Sequence, residues 1–263
     1  MPNESDTPRT DMIVVHGVEM EVLRHGTGQP MLFLHGFQHV DPSAYFLYLL
    51  GRRAEVIAPS HPGFGASARP KDFESIYDVL NLYAAFLEAL PHPKVTLIGS
   101  SFGGWLAAEL AVRSCARIER LVLVDALGIK VSDRETPDIL DVFNTHPATV
   151  KAAMWHEEAK APDLDAMTDE QLIKRHRNWE SLALYGWNPY MHNPRLSYWL
   201  PRISVPTLVL WGASDRIVKP SYGEAYAARI PGARFALIEG AGHHPEIEQP
   251  DSFAEHVLGF LSR

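Results

Sequence analysis

Short segments rich in apolar residues recur along this chain, and helical patterns lie between most of them. Such a run, bounded by turn residues, is typical of a strand buried on both faces, as in a parallel sheet. Strands that alternate with helices indicate a parallel sheet covered by helices on both sides. The sequence therefore predicts an α/β fold with strands at residues 31–34, 55–58, 95–98, 121–124, 207–210 and 235–238.

The beginning of the chain departs from this alternation. Residues 1–11 are polar and contain Pro2 and Pro8, which predicts a disordered start. Residues 12–16 and 18–24 then have the pattern of two strands joined by a turn at Gly17.

A second departure lies between residues 128 and 201, where no segment has a clear strand pattern. Helices are expected to begin at Pro137, after the possible cap Thr136, and at Pro147. A capping box at residues 168–171 predicts another helix that ends near Gly186. We interpret residues 128–201 as a helical cap over a core domain formed by residues 12–127 and 202–263.

Composition limits the possible partners. The 263 residues carry a net charge of −8, which argues against a nucleic-acid partner. The single cysteine, Cys115, excludes an internal disulfide. The sequence has neither the apolar core of a signal peptide nor a run near the roughly 18 apolar residues that a membrane span needs. We expect a cytoplasmic protein, monomeric or homodimeric, with no membrane association.

A glycine–serine run indicates a reactive serine. Residues 99–103 follow an apolar strand pattern and precede a helical one, and Ser101 is at their centre. A nucleophilic serine on a sharp strand-to-helix turn needs small neighbours two residues before and after it, and Gly99 and Gly103 meet this need. Ser100 lacks glycines at these offsets. We therefore predict that Ser101 is a nucleophile.

A serine hydroxyl needs a base to take its proton, and the base needs an acid to orient it. His243 follows the last predicted strand on a glycine-containing loop, with His244 as the alternative. Asp215 lies just past the strand at residues 207–210, and Asp125, after the strand at 121–124, is the alternative acid. The order Ser, Asp, His favours Ser101, Asp215 and His243 as a catalytic triad.

The negative charge that develops on a reacting carbonyl oxygen needs N–H donors, usually from the backbone. Phe102 follows the nucleophile and is expected to supply one donor. Phe37, which follows His35 and Gly36 at the end of the strand at 31–34, is expected to supply the other. We expect His35 to hold this loop by hydrogen bonds.

The aromatic residues of the predicted cap suggest a hydrophobic substrate. Trp155, Trp179, Tyr185 and Trp187 are the candidates for its pocket. Residues 156–160 begin like a zinc-protease helix, but Lys160 replaces the second histidine. The glycine pairs at 26 and 28 and at 63 and 65 are not dinucleotide fingerprints, so no cofactor and no metal are expected.

Taken together, the chain resembles the capped α/β-hydrolases from about residue 12 to residue 263. The matching motifs are residues 35–37, 62–67, 99–103, 206–212 with Asp215, and 240–243 with 248–250. The resemblance implies an eight-stranded, mostly parallel sheet with helices on both faces and a helical cap between strands six and seven. It also implies an acyl-serine intermediate and no cofactor. Many relatives carry aspartate where this chain has Ser60-His61.

The predicted function is a carboxylesterase that acts on a small or polymeric ester. Relatives that cleave carbon–halogen bonds or epoxides use an aspartate nucleophile, and Ser101 argues against both activities. One alternative is a carbon–carbon bond hydrolase of the meta-cleavage-product type, which needs a cation for its substrate carboxylate. The other is a non-catalytic small-molecule receptor on the same fold.

Overall fold

The computed structural model describes residues 8–113 and 116–262, and these form a sheet of eight strands. In space the strands follow the order β1-β2-β4-β3-β5-β6-β7-β8. The sheet is open, and it is parallel except for the pairs of β2 with β1 and β4. The predicted fold class is confirmed. The strands are β1 (Arg9–Val15), β2 (Val18–His25), β3 (Gln29–Leu34), β4 (Ala54–Pro59), β5 (Val95–Ser100), β6 (Ile118–Val124), β7 (Thr207–Gly212) and β8 (Arg234–Ile238).

The start of the first strand differs from the prediction. Residues 9–11, expected to be disordered, pair with residues 22–24 of β2. Apolar periodicity could not show this, because β1 is an edge strand whose first residues are mostly exposed. Asp11 also forms ion pairs with Arg9 and Arg24, at 3.5 and 4.0 Å. Residues 1–7 and Cys115 lie outside the described residues.

Helices cover both faces of the sheet, because side chains of the central strands alternate between two cores. Met31 and Phe33 of β3 belong to the core under α1 and α9, whereas Leu32 and Leu34 belong to the opposite core. The helices outside residues 128–201 are α1 (Tyr45–Gly51), α2 (Ile76–Ala89), α3 (Phe102–Arg113), α7 (Pro220–Arg229), α8 (Pro245–Glu248) and α9 (Pro250–Leu261). No helix in the described part of the chain is long and apolar enough to cross a membrane.

The segment between β6 and β7 contains α4 (Pro147–Met154), α5 (Asp169–Gly186), α6 (Leu196–Trp199) and two short 3₁₀ helices (Glu158–Lys160 and Leu200–Arg202). The predicted capping box opens α5: Gln171 N–H donates to Thr168 Oγ1 at 3.3 Å. The division into a core and a cap stays a prediction.

The helix predicted at Pro137 does not form. The carboxylate of Asp133 accepts the backbone N–H groups of Glu135 and Thr136, and that of Asp138 accepts the N–H of Val131. Acidic side chains that bind nearby N–H groups hold the backbone in turns instead of a helix. Thr136 and Pro137 would suit the start of a helix, but the hydrogen bonds of these two carboxylates stabilise turns there instead.

Candidate active site

Ser101 lies on the turn between β5 and α3, with a φ of 53°. A Cβ atom at Gly103 would lie 2.1 Å from the carbonyl oxygen of Leu34, and one at Gly99 would lie 2.3 Å from the carbonyl oxygen of Gly103. Only glycine therefore fits at either position. The backbone N–H of Ser101 donates to the carbonyl of Val124 at 2.8 Å, which fixes the turn against β6.

Ser101, His243 and Asp215 form a continuous chain of hydrogen bonds. His243 Nε2 lies 2.8 Å from Ser101 Oγ, and His243 Nδ1 lies 2.7 Å from Asp215 Oδ2. An ionised carboxylate can only accept, so Nδ1–H donates to Asp215 and Nε2 is left to accept the serine hydroxyl proton. The three residues are only 2 to 3% exposed. This arrangement leaves a buried serine bonded to a base that is oriented by an acid.

The backbone holds Asp215 in place. Its Oδ1 accepts the N–H groups of Ile217 at 2.8 Å and Val218 at 3.1 Å. With the bond from His243, this carboxylate accepts three hydrogen bonds. Hydrogen bonds to a carboxylate favour its ionised form. Three donors thus fix the orientation of the Asp215 carboxylate beside His243.

The His243 loop is hydrogen-bonded to the end of α4 and to the segment that follows it. The N–H of His243 donates to the carbonyl of Met154 at 2.7 Å. The buried carboxylate of Glu248 accepts the N–H groups of Gly242, His156 and Glu157, at 2.6, 2.9 and 3.0 Å. Residues between β6 and β7 thus help to position the candidate base.

The loop of Phe37 passes directly over Ser101. A Cβ atom at Gly36 would lie 3.2 Å from Ser101 Cβ. Phe102 is the first residue of α3, where N–H groups are free and the helix dipole favours negative charge. Within the described residues, neither the Phe37 nor the Phe102 N–H donates a hydrogen bond. Both are available to an oxyanion.

Two neutral histidines hold this loop. His35 Nδ1–H donates to the carbonyl of Gly36, and Nε2 accepts the N–H of His61 at 3.0 Å. His61 Nε2–H donates to the carbonyl of His35, and the Tyr83 hydroxyl donates to His61 Nδ1. Burial lowers the pKa of His61 to about 3 and lowers the pKa of His35 well below its usual value. His35 has the structural role that was expected of it.

The alternative base and the alternative acid both lie near the site, but neither takes the place of His243 or Asp215 in the hydrogen-bonded chain. His244 faces the rings of Phe37 and Trp155, and its Nδ1 lies 3.6 Å from Glu246. Asp125 is fully buried, and its Oδ1 accepts the N–H of Gly212 at 2.9 Å.

In the described part of the chain, one group of side chains of the types that can bind a metal has its potential ligand atoms within 4.8 Å of one another. It consists of Asp125, Asp215 and His243. The oxygens of Asp215 and Nδ1 of His243 already hydrogen-bond within the protein. A metal ion would have to displace those bonds, so the donor set fits an ion poorly.

A narrow cavity of about 20 Å³, room for about one water molecule, adjoins Ser101 and His243. Apart from these two residues its lining is aromatic and aliphatic. The lining residues are Phe37, Leu127, Ile139, Val142, Met154, Trp179, Leu182, Tyr190, Met191 and Ile217.

Of the four aromatic residues predicted for a substrate pocket, only Trp179 lines this cavity. Trp155 is buried against the ring of His244, with centroids 5.0 Å apart. Tyr185 turns toward the core and donates its hydroxyl to the carbonyl of Pro62. Trp187 is 58% exposed just past the end of α5. These three do not line the cavity beside Ser101, because their rings fill other contacts of the helical segment or face solvent, and their role in a substrate pocket stays a prediction.

Sequence reasoning missed most of the cavity wall. Leu127, Met154, Met191 and Ile217 come from four separate segments and share no spacing. The only available signal was that Leu127 and Ile217 each lie two residues past a candidate acid.

Comparison with known proteins gives the context for this geometry. A family model described as the alpha/beta hydrolase family matches residues 31–256. The chain is 27% identical to 2-hydroxymuconate semialdehyde hydrolase of Pseudomonas sp. strain CF600, over 95% of this chain and 93% of that protein. It is 25% identical to Lipase 1 of Psychrobacter immobilis, over 99% of this chain and 86% of the lipase.

The same fold occurs in a solved meta-cleavage product hydrolase from Pseudomonas fluorescens IP01. The two structures superpose with a TM-score of 0.77, covering 96% of this chain and 97% of that one at 24% sequence identity. Since the family model spans most of the sequence, the chain belongs to the alpha/beta hydrolase family.

Proposed function

We propose that the protein hydrolyses carboxylic esters through an acyl-serine intermediate. His243 takes the proton of Ser101 as its oxygen attacks the ester carbonyl, and the N–H groups of Phe37 and Phe102 stabilise the oxyanion. The protonated His243, oriented by Asp215, gives its proton to the departing alcohol. His243 then deprotonates a water molecule, which attacks the acyl group, and it returns this proton to Ser101 Oγ as the acid is released.

The observation that carries this proposal is the apolar cavity beside Ser101. Besides Ser101 and His243, the polar groups that its described lining residues carry are the Tyr190 hydroxyl and the indole N–H of Trp179. The Tyr190 hydroxyl donates to the carbonyl of Leu140 and accepts the N–H of Val142, both at 2.8 Å, so it is already occupied. A neutral, apolar acyl group fits such a wall, because a charged group there would lose its hydration without gaining a partner.

A second candidate is a carbon–carbon bond hydrolase, and one observation favours it. The guanidinium of Arg175 lies 5.7 Å from the centre of the Phe37 ring. It makes no hydrogen bond or ion pair with any residue that the structure describes. A substrate carboxylate would find a cation there. Some relatives, such as 2-hydroxymuconate semialdehyde hydrolase, carry names that suggest substrates of this kind.

A substrate panel separates the two candidates. Purified protein is tested with p-nitrophenyl esters of graded acyl length and with a 2-hydroxy-6-oxo-dienoic acid. Faster turnover of the esters, with kcat/KM unchanged within about threefold in Arg175→Gln, supports ester hydrolysis. Faster turnover of the dienoic acid, with KM raised about tenfold or more in Arg175→Gln, supports the second candidate. Lys174→Gln is the matched control, since Lys174 pairs with Glu170 on the same helix.

The role of Ser101 is tested by substitution. Ser101→Ala should lower ester turnover by at least about a thousandfold while leaving the unfolding temperature nearly unchanged, because only the nucleophile is lost. A fluorophosphonate probe should label the unmodified protein and the control Ser100→Ala, but not Ser101→Ala. Failure of the unmodified protein to react with the probe would instead support a non-catalytic receptor.

A further inference from the structure

A second buried carboxyl group lies beside the candidate triad, and the mechanism above does not use it. Asp125 follows β6, has a φ of 43° and is fully buried. Its Oδ1 accepts the N–H of Gly212 at 2.9 Å, whereas no N–H or hydroxyl group of the described residues donates to its Oδ2. Ligand atoms of Asp125, Asp215 and His243 all lie within 4.8 Å of one another.

Two buried carboxyl groups at this separation do not both ionise, because their mutual repulsion is barely screened away from water. One of the pair therefore keeps a proton. Asp215 accepts three hydrogen bonds and Asp125 accepts one, so the negative charge is better stabilised on Asp215. Burial, and then the neighbouring Asp215, raises the pKa of Asp125 well above its usual value.

We infer that Asp125 is a positioning residue: a neutral carboxylic acid whose Oδ2 hydrogen is directed at the carboxylate of Asp215. This inference rests on the proposed function only in that it takes Asp215 and His243 as the working acid and base. The hydrogen-bond chain then has four members, Asp125, Asp215, His243 and Ser101. The hydrogen bond that Asp125 donates to Asp215 spreads the negative charge of Asp215. Asp215 can then orient His243 without over-stabilising the imidazolium.

Other titratable groups face this pair, and they contribute to its field. Glu246, near the N-terminus of α8, acts on Asp125 through its charge. The same carboxyl lies 3.6 Å from His244 Nδ1 and accepts a bond from the Ser100 hydroxyl. A test must therefore report on His243 directly rather than on overall stability.

The test compares Asp125→Asn with Asp125→Ala. Asparagine matches the shape of a protonated aspartic acid, since its Oδ1 can accept from Gly212 and its amide can donate to Asp215. The readout is the rate of fluorophosphonate labelling between pH 5 and pH 8. NMR titration of the His243 ring measures the midpoint of this pH dependence independently, whether or not the protein hydrolyses esters.

We expect the labelling rate of Asp125→Asn to fall at low pH with the same midpoint as that of the unmodified protein. Asp125→Ala should move the midpoint upward by about half a pH unit or more, which is about threefold slower labelling below the midpoint. The reason is that Asp215 without its donor stabilises the imidazolium more strongly. Glu109→Gln changes a buried acid away from this pair, so it is the control for destabilisation. It should leave the midpoint of the pH dependence unchanged.

Two results would overturn the inference. An unmoved midpoint in folded Asp125→Ala would mean that Asp125 does not act on Asp215. A midpoint that falls in Asp125→Asn would mean that an ionised carboxylate had been removed, and this variant decides the question alone if the alanine variant does not fold. If the unmodified protein is not labelled at all, the proposed function fails and the NMR midpoints still test Asp125.

Discussion

His61 lies in the Ser60-His61 pair that precedes Pro62, and it is a fixed part of the scaffold. Its two ring nitrogens bond to His35 and Tyr83, and both histidines are buried and neutral. The His35 ring in turn bonds to Gly36, beside the Phe37 N–H. The bonds between His61 and His35 therefore support this loop without adding a buried charge.

These histidines should make folding sensitive to acid. The pKa of His61 is about 3 in the folded protein and near 6.5 in the unfolded chain, so between these values the unfolded state binds more protons. His61 thus contributes stability that is complete above about pH 6.5 and is lost as the pH falls. The free energy of unfolding should decline by up to about 1.4 kcal/mol per pH unit for this residue.

The measurement is urea unfolding at several values between pH 7.5 and pH 5. His61→Gln, which does not titrate, should show a shallower decline. His176→Gln, at a histidine whose side chain is 80% exposed, is the control and should keep the original slope. Equal slopes in all three proteins would contradict the prediction.

The helix α5 has two different contact faces, and its rotation decides which aromatic residue reaches the cavity. One face bonds to the loop at residues 62–67. On another face, Trp179 and Leu182 line the cavity. The bonds to the loop are Arg177 to the carbonyls of Gly65 and Ser67, the Gly65 N–H to Asn178, Ser181 to Gly63 and Tyr185 to Pro62.

Trp179 lies at the boundary between the cavity and a depression of the surface. Its ring packs against Phe37 and Phe143, with centroids 5.0 and 5.4 Å away. It lines both the cavity and a surface depression of about 740 Å³ beside Arg175. The size of this one side chain therefore limits how long an acyl group the cavity can take.

Trp179→Ala should shift the preferred ester toward longer acyl chains. Each added methylene in an apolar pocket is worth roughly 1–3 kcal/mol, so kcat/KM for the longer esters should rise relative to acetate by about tenfold or more. Trp187→Ala is the control, because Trp187 is exposed and does not line the cavity. An acyl-length profile that changes equally in both variants would argue against this role for Trp179.

Across the molecule, Glu248 joins the end of α4 to the loop of the candidate base. Its carboxylate accepts N–H groups from both sides of this junction, Gly242 on one and His156 and Glu157 on the other. Lys160 adds a bond to the Glu248 carbonyl. The position of His243 thus depends on a segment about 90 residues away in sequence.

Glu248→Ala should lower both stability and turnover. Hydrogen bonds to a charged group contribute roughly 1.5–3 kcal/mol each, so we expect the free energy of unfolding to fall by at least about 2 kcal/mol. The value of kcat should fall with it, because the loop of His243 is released.

Denaturant unfolding and ester kinetics on the same samples check this prediction. Glu255→Ala, at an exposed position of α9, is the control and should change stability by no more than about 0.5 kcal/mol. If the two variants lose the same stability, the junction at Glu248 does not contribute as described.

Local patterns were sufficient for the sheet, for the turn at Ser101 and for the placement of Asp215 and His243 after their strands. The reason is that buried strands, glycine-flanked turns and helix caps impose residue types over a few neighbouring positions. The sequence favoured Asp215 and kept Asp125 as the alternative, and the tertiary structure places Asp215 against His243. Both acids follow strands that end at the same edge of the sheet, so the side chain that meets His243 depends on how the loops after β6 and β7 pack.

Packing between distant segments also selected Trp179 from the aromatic residues and extended β1 back to Arg9. The rotation of α5 depends on its bonds to the loop at residues 62–67, and β1 depends on pairing with β2. Neither contact can be recognised from the spacing of the residues along the sequence. The nucleophile is therefore encoded locally in this chain, whereas the shape of the cavity that receives the substrate arises from contacts made only when the whole chain has folded.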